Sequence, residues 1–211
     1  MRIALINENS QAAKNELICN VLTKVATKYG HTVDNYGMFN AEDKPLTYVQ
    51  NGILAGILLN SGAADFVITG CGTGEGAMLA LNSFPKVICG LVIEPSDAYL
   101  FGQINDGNAI SMPFAKGFGW GAELNLENCF EQLFKAPFGG GYPKERVVPE
   151  QRNKKILDKV KEVSYRPMIE VLKGLDKDLL MEAIDRPSFK KLFFENAKDQ
   201  ELVAYIAELL K

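Results

Sequence analysis

A single cysteine, Cys71, stands between two glycines in the run Gly70-Cys71-Gly72-Thr73-Gly74-Glu75-Gly76, directly after the apolar stretch Phe66-Val67-Ile68. This pattern predicts a buried strand, a glycine-rich turn with a thiol at its apex, and a helix opening at Ala77-Met78-Leu79. Alternate glycines let backbone N–H groups converge on an anion, and a helix start adds partial positive charge at the same point. The turn therefore offers an activatable base or nucleophile beside an oxyanion-type hole.

Two more polar residues, Glu8 and Asn9, follow the first strand-like run, Ile3–Ile6. They suit either a site or the capping of the helix behind them. Thr73 suits both helix capping and substrate contact, and Glu75 either complements the helix dipole or moves a proton. The only histidine, His31, lies far in sequence from every motif.

The elements that must position these residues alternate along the chain. Strand-like runs recur at Ile3–Ile6, Thr32–Tyr36, Phe66–Thr69, Val87–Val92 and Ala109–Met112. Helical patterns lie at about Ala12–Tyr29, Pro45–Asn60, Glu75–Ser83, Asp97–Gln103 and Trp120–Phe134. Alternation of this kind predicts an α/β, Rossmann-like three-layer sandwich with five parallel strands, whose ligands bind beyond the carboxyl ends of the strands. The run Phe138-Gly139-Gly140-Gly141-Tyr142-Pro143 reads as a flexible connection. Beyond it Glu150–Val163 and Arg166–Lys211 are helical, with Pro167 and Pro187 near helix starts and Gly174 at a helix end. The expected division is residues 1–150 as the α/β domain and 151–211 as a helical extension packed on that domain or on a second subunit.

Composition narrows the class. The chain has 211 residues, 23 basic against 26 acidic, which argues against a nucleic-acid surface. No run approaches the length of a membrane span and no leader pattern opens the chain, so a cytoplasmic protein is expected. Four cysteines (Cys19, Cys71, Cys89, Cys129) lack metal-ligand spacing. Cys19 and Cys89 read as reduced core residues.

The residues from Gly70 to Gly76, with Ala80, Asn82, Glu94-Pro95, Ala98, Leu100 and Asn105-Asp106-Gly107-Asn108-Ala109, resemble the type B ribose-phosphate isomerases and the galactose-6-phosphate isomerase subunits. The resemblance spans about Met1 to Gln151, and the helical tail goes beyond it. It implies aldose–ketose isomerisation of a sugar phosphate through an enediol, with no metal and no cofactor. Cys71 would be the base, with Thr73 and the amides of Gly72, Gly74 and Gly76 as oxyanion donors. Asn105 would contact sugar oxygens. Arg146, in a stretch similar to the family's phosphate-binding region, would hold the anion. A homodimer with sites near the interface is also implied, so that this arginine can come from the neighbouring chain.

The departures are specific. Glu8-Asn9 stands where the family carries Asp-His, and Ile104 where a histidine helps open the sugar ring. The usual arginine after the last strand is missing, with Lys116 the nearest cation. Glu8 or Glu75 is the expected substitute for proton transfer to oxygen, and the identity and phosphorylation of the sugar stay open. Two other readings compete. Gly72-x-Gly74-x-x-Ala77, with Glu94 ending the next strand, also fits a dinucleotide site for NAD or NADP. A non-catalytic partner subunit of a sugar-phosphate isomerase would explain the absent histidines.

Overall fold

The computed structural model describes Met1–Lys211. Strands β1 (Arg2–Asn7), β2 (Thr32–Asn35), β3 (Phe66–Cys71), β4 (Cys89–Leu91) and β5 (Ala109–Pro113) pair in parallel in the order β2-β1-β3-β5-β4. Between them run α1 (Asn15–Lys28), α2 (Tyr48–Ser61), α3 (Glu75–Asn82) and α4 (Pro95–Leu100), and α5 (Ala122–Phe134) follows the sheet. The predicted α/β sandwich with five parallel strands is the fold observed. Edge strand β4 is shorter than its apolar run. The Asn82 side chain instead takes up the backbone N–H and C=O of Cys89.

Local sequence explains the helix boundaries. At α2, Thr47 and Gln50 form a reciprocal capping box, so the helix begins three residues after Pro45. Gly62 closes it in the left-handed conformation. At α4, Pro95 takes the first turn and Glu94 and Asp97 cap each other's backbone. The predicted helix from Ala12 divides into a 3₁₀ turn, Asn9–Lys14, and α1.

Parallel crossovers are right-handed, so connections leaving a strand in opposite directions lie on opposite faces of the sheet. The step from β1 to β2 and the step from β3 to β4 diverge, which creates a switch point between the carboxyl ends of β1 and β3. One core packs Ile3, Leu5, Ile68 and Ile110 against α1 and α5; the other packs Ala4, Ile6 and Val67 against α2.

Helix α2 is apolar nearly all round (Tyr48 to Ser61, YVQNGILAGILLNS) and is buried on nearly all sides. The C-terminal helices α6 (Val147–Ser164), α7 (Met168–Gly174), α8 (Lys177–Ile184), α9 (Pro187–Asn196) and α10 (Gln200–Leu209) explain how. Leu172, Leu180, Ile184, Phe189, Phe193 and Ile206 join the same core and cover the outer face of α2. The exception is α6, which buries no residue and exposes Val148, Ile156, Val160 and Val163.

Two expectations are corrected. The glycine run at 139–141 is not a free connection. Gly139 and Gly141 donate to the carbonyls of Gly102 and Gln103, which a turn of π-helix (Phe101–Asn105) leaves open, and Gln151 donates back to Gly139. Cys19 is partly buried at the rim of the core on α1, beside Thr23, rather than inside it, whereas Cys89 is buried. No helix is long and apolar enough to cross a membrane.

Gly70 has no room for a side chain. A Cβ there would overlap the Met112 carbonyl and lie 2.5 Å from the Phe114 ring. Gly70→Ala is expected to cost about 3 kcal/mol, because the obstructing atom is backbone and cannot swing away. Thermal denaturation should show a drop of roughly 10 °C for a chain of this size.

Candidate active site

Cys71 and Glu8 occupy one row across the switch point. The β1–β3 register pairs Ile6 with Thr69 and Asn7 with Gly70. Glu8 keeps an extended backbone (φ −96°, ψ 167°), so it continues that register opposite Cys71. Adjacent strands lie about 4.8 Å apart and paired residues share a face, so the backbone positions of Glu8 and Cys71 are neighbours at the carboxyl edge of the sheet, on the α2 face. Both are buried, Cys71 at 8 % exposure and Glu8 at 4 %.

The turn after Cys71 is held by β5. Phe114 donates to the Cys71 carbonyl at 2.9 Å, Ala115 and Lys116 donate to that of Gly72, and Ser111 Oγ donates to that of Gly74. Gly74 has φ +81°, and a Cβ there would sit 2.7 Å from Leu91 and 2.9 Å from the Met112 backbone. Packing therefore explains this glycine without a dinucleotide. The Thr73 hydroxyl accepts from the Glu75 N–H at 3.3 Å, while the N–H groups of Thr73 and Gly74 have no acceptor within the protein. Those two donors point to an oxyanion cradle at the start of α3. Thr73 and Glu75 themselves are exposed, and Glu75 makes no side-chain hydrogen bond or ion pair.

On the β1 side, Glu8 accepts from the Ser10 N–H at 2.9 Å and from the Ser10 hydroxyl. The chain of contacts continues. Gln11 donates to Ser10 Oγ at 2.9 Å, and Lys14 donates to Gln11 Oε1 at 2.8 Å and to the Phe114 carbonyl. Lys14 also lies 4.4 Å from the Phe118 ring centroid and forms no ion pair. Asn9 is exposed and its N–H donates to Leu46 at 2.7 Å. The Tyr48 ring lies over Gly76, 3.4 Å from where a Cβ would stand, on the α2 side of the crevice that an open α/β sheet forms at its switch point. Tyr48, Ser10, Gln11 and Lys14 escaped the sequence reading. The signal that could have found Tyr48 is an aromatic one residue into the helix that follows a strand end. Lys14 carried no comparable signal.

Asn105 and Arg146 lie elsewhere. Asn105 ends the π turn four residues before β5 begins, at the amino edge of the sheet, whereas Cys71 pairs with Pro113 at the other end of that strand. The five residues of β5 alone separate them by roughly 13 Å. Arg146 immediately precedes α6 at the same amino edge, exposed, beyond the pinned glycine run. The predicted residues therefore form two groups. Glu8, Asn9 and Cys71–Gly76 lie at the carboxyl edge, and Asn105 and Arg146 at the amino edge. Between the latter, burial raises the Asp106 carboxyl above the usual carboxylate range, with Lys154 opposing. Asn108 holds backbone, donating to the Lys86 carbonyl at 2.7 Å and accepting from the Ile88 N–H at 2.8 Å.

The remaining candidates are structural. Burial pushes the Cys129 thiol up to about 12 and the Cys89 thiol further still. His31 sits at the amino edge against Phe134, 3.2 Å from the N-terminal amine, and burial with that charge lowers its pKa. Lys116 contributes its backbone to the Cys71 turn and leaves its side chain in solvent.

Comparison with known proteins fits this geometry. A family model described as Ribose/Galactose Isomerase matches residues 3–149, and one described as Ribose-5-phosphate isomerase matches residues 163–209. The fold, the cysteine turn and the first match define the class. The chain belongs to the ribose/galactose isomerase family and is an aldose–ketose sugar isomerase. Among solved structures, a 4-deoxy-L-threo-5-hexosulose-uronate ketol-isomerase complexed with a tartrate is 59% identical, covering 100% of this chain and 99% of that one, with a TM-score of 0.98. A ribose-5-phosphate isomerase from Vibrio parahaemolyticus is 49% identical over 100% and 99% of the two chains, TM-score 0.97. The type B ribose 5-phosphate isomerase of Trypanosoma cruzi, 20% identical over 77% of this chain and 99% of its own, shares the fold with a TM-score of 0.63. No curated protein sequence matches significantly.

Proposed function

We propose that this chain is a cytoplasmic ketol-isomerase of a free, carboxylate-bearing sugar, 4-deoxy-L-threo-5-hexosulose uronate or a close analogue, with Cys71 as the base. Full-length identity of 59% to a ketol-isomerase of that compound is the observation that carries the substrate class. The chemistry of such a sugar also accounts for one of the departures in the sequence. Its C1 aldehyde neighbours a C2 hydroxyl, but C4 is deoxygenated and C5 is a ketone. No hydroxyl on C4 or C5 can close a ring onto the aldehyde. A ring-opening histidine has no task there, and Ile104 stands in its place.

In the proposed step the Cys71 thiolate takes the proton from C2 and the C2 electrons form the enediolate double bond as the C1 carbonyl becomes an oxyanion. The N–H groups of Thr73 and Gly74, with the Thr73 hydroxyl and the flanking amides of Gly72 and Gly76, receive that charge. Glu8, buried in the same row, moves a proton from O2 to O1, and Cys71 returns its proton to C1. Glu75 points to solvent and is the weaker candidate for the oxygen step. Asn9 borders the crevice as a substrate contact. Glu8→Gln at full activity would remove Glu8 from this role.

The amino-edge group enters through a second copy of the chain. In the proposed homodimer, Asn105 and Arg146 of one protomer face the Cys71 crevice of the other, where Arg146 holds the carboxylate. The unpartnered apolar face of α6, directly after Arg146, supports this arrangement. A second reading, isomerisation of ribose 5-phosphate, rests on the 49% identical relative.

A substrate panel decides between them. The expected result is a kcat/KM about 100-fold or more higher on the deoxyhexosulose uronate than on ribose 5-phosphate or galactose 6-phosphate, since the site would lack partners for a ring-opening step. Faster turnover of ribose 5-phosphate would overturn the uronate assignment and leave the isomerase class standing.

A further inference from the structure

The C-terminal helices touch the crevice wall through one compact segment, Glu182–Ser188. Arg186, in the joint between α8 and α9, is 1 % exposed, and its Nη2 donates to the Lys44 carbonyl and, at 2.6 Å, to that of Pro45. Its one ion-pair partner is Asp43 of the same loop at 3.8 Å, and its Nε and Nη1 have no hydrogen-bond partner. Around it, Lys44 Nζ donates to the Asp185 carbonyl at 3.2 Å, and the Ser188 hydroxyl donates to the Tyr36 carbonyl at 2.9 Å. Gln50, the reciprocal capping residue of α2, donates to Glu182 at 2.9 Å. All these partners belong to the β2–α2 connection and the first turn of α2.

That connection borders the crevice. Leu46 accepts from the Asn9 N–H, Gly37 and Met38 exchange hydrogen bonds with Asn7, and Tyr48 lies over Gly76. Burying an arginine without a full set of acceptors is costly, and mere coverage of α2 does not need one. Both bonds leave one nitrogen, Nη2, and tie two successive carbonyls of the loop to the joint between α8 and α9.

We infer that Glu182–Ser188 is a latch on the active-site wall, and that Arg186 is a positioning residue for the isomerisation, acting through Pro45–Tyr48 on the substrate side of the crevice. This rests on the crevice beside Cys71 being the site. Cys71 itself hangs on β3 and β5, outside the latch, so loosening the wall weakens substrate binding and leaves the base in place. The C-terminal extension is then part of the catalytic apparatus.

The test measures kcat, KM and melting temperature of full-length Arg186→Met, Arg186→Lys and Ile206→Ala on whichever sugar the panel identifies. Ile206 is a buried α10 residue away from the loop. The latch predicts that KM rises about tenfold in Arg186→Met with kcat within about threefold of wild type, and rises less in Arg186→Lys. Ile206→Ala should melt lower with KM unchanged, because a smaller folded fraction lowers apparent kcat and leaves KM alone. Should Arg186→Met fail to fold, the Glu182→Ala, Ser188→Ala double variant reads the same quantity from the latch's periphery. Unchanged KM in the folded variants, or an equal rise in Ile206→Ala, overturns the latch. Full activity of Cys71→Ala overturns the crevice instead, so the two failures are separable.

Discussion

Cys71→Ala is expected to lower kcat on the true substrate by about 10³-fold, with the protein still folded. A factor of that size is about 4 kcal/mol of transition-state stabilisation. It follows from asking one group to remove and return a proton on carbon, for which neither water nor the neighbouring Glu8, engaged with Ser10, is a ready substitute. The structural cost is small. Cys71 ends its strand at the mouth of the crevice, alanine keeps the Cβ, and the turn is held by backbone bonds to β5 that the substitution leaves intact. Circular dichroism and a melting curve close to wild type should accompany the loss. Run in deuterated water, the wild type should place deuterium on product carbon and the variant should not. Turnover at the wild-type rate in Cys71→Ala would remove the cysteine from the mechanism.

The second large effect is a recovery. Cys71→Ala and Arg146→Ala should each be nearly inactive alone, yet co-expression should restore about a quarter of wild-type activity. Random pairing makes half of the dimers mixed, and each mixed dimer has one site with both residues intact and one with neither. The expectation follows from the separation of the two groups along β5, which keeps Arg146 from the thiol of its own chain, so that in the proposed homodimer each site combines residues of two protomers. Restored activity in mixed samples, and none on mixing two differently tagged copies of the same variant, establishes sharing across protomers. A mixture no more active than its components would confine the site to one chain and take Arg146 out of it.

Much of the fold was legible in the sequence because its signals are local. Strand runs bounded by turns, the glycines around Cys71 and the prolines at 167 and 187 each act within a few residues of themselves. Where the reading failed, the deciding partner was distant. The glycine run at 139–141 looks mobile because glycine frees an isolated chain, but it is pinned by carbonyls of a π turn about 38 residues earlier. Cys19 looked like full core because cysteine usually is, but its place on α1 sets it at the rim, packed against the core and partly open.

By itself, then, the sequence determined the class: an α/β parallel sheet with a cysteine in a glycine-rich turn, the motif residues of a sugar isomerase, and a helical tail. Only the tertiary structure decided which of those residues meet. Strand order β2-β1-β3-β5-β4 brings Glu8 and Cys71 to one edge and sends Asn105 and Arg146 to the opposite edge, and packing of the C-terminal helices lets an arginine 141 positions beyond Pro45 grip the loop at Lys44–Pro45. The physical reason is that composition and periodicity report what a residue does to its near neighbours. Register across a sheet and packing on its far face are fixed by the collective burial of apolar surface, which no single segment records.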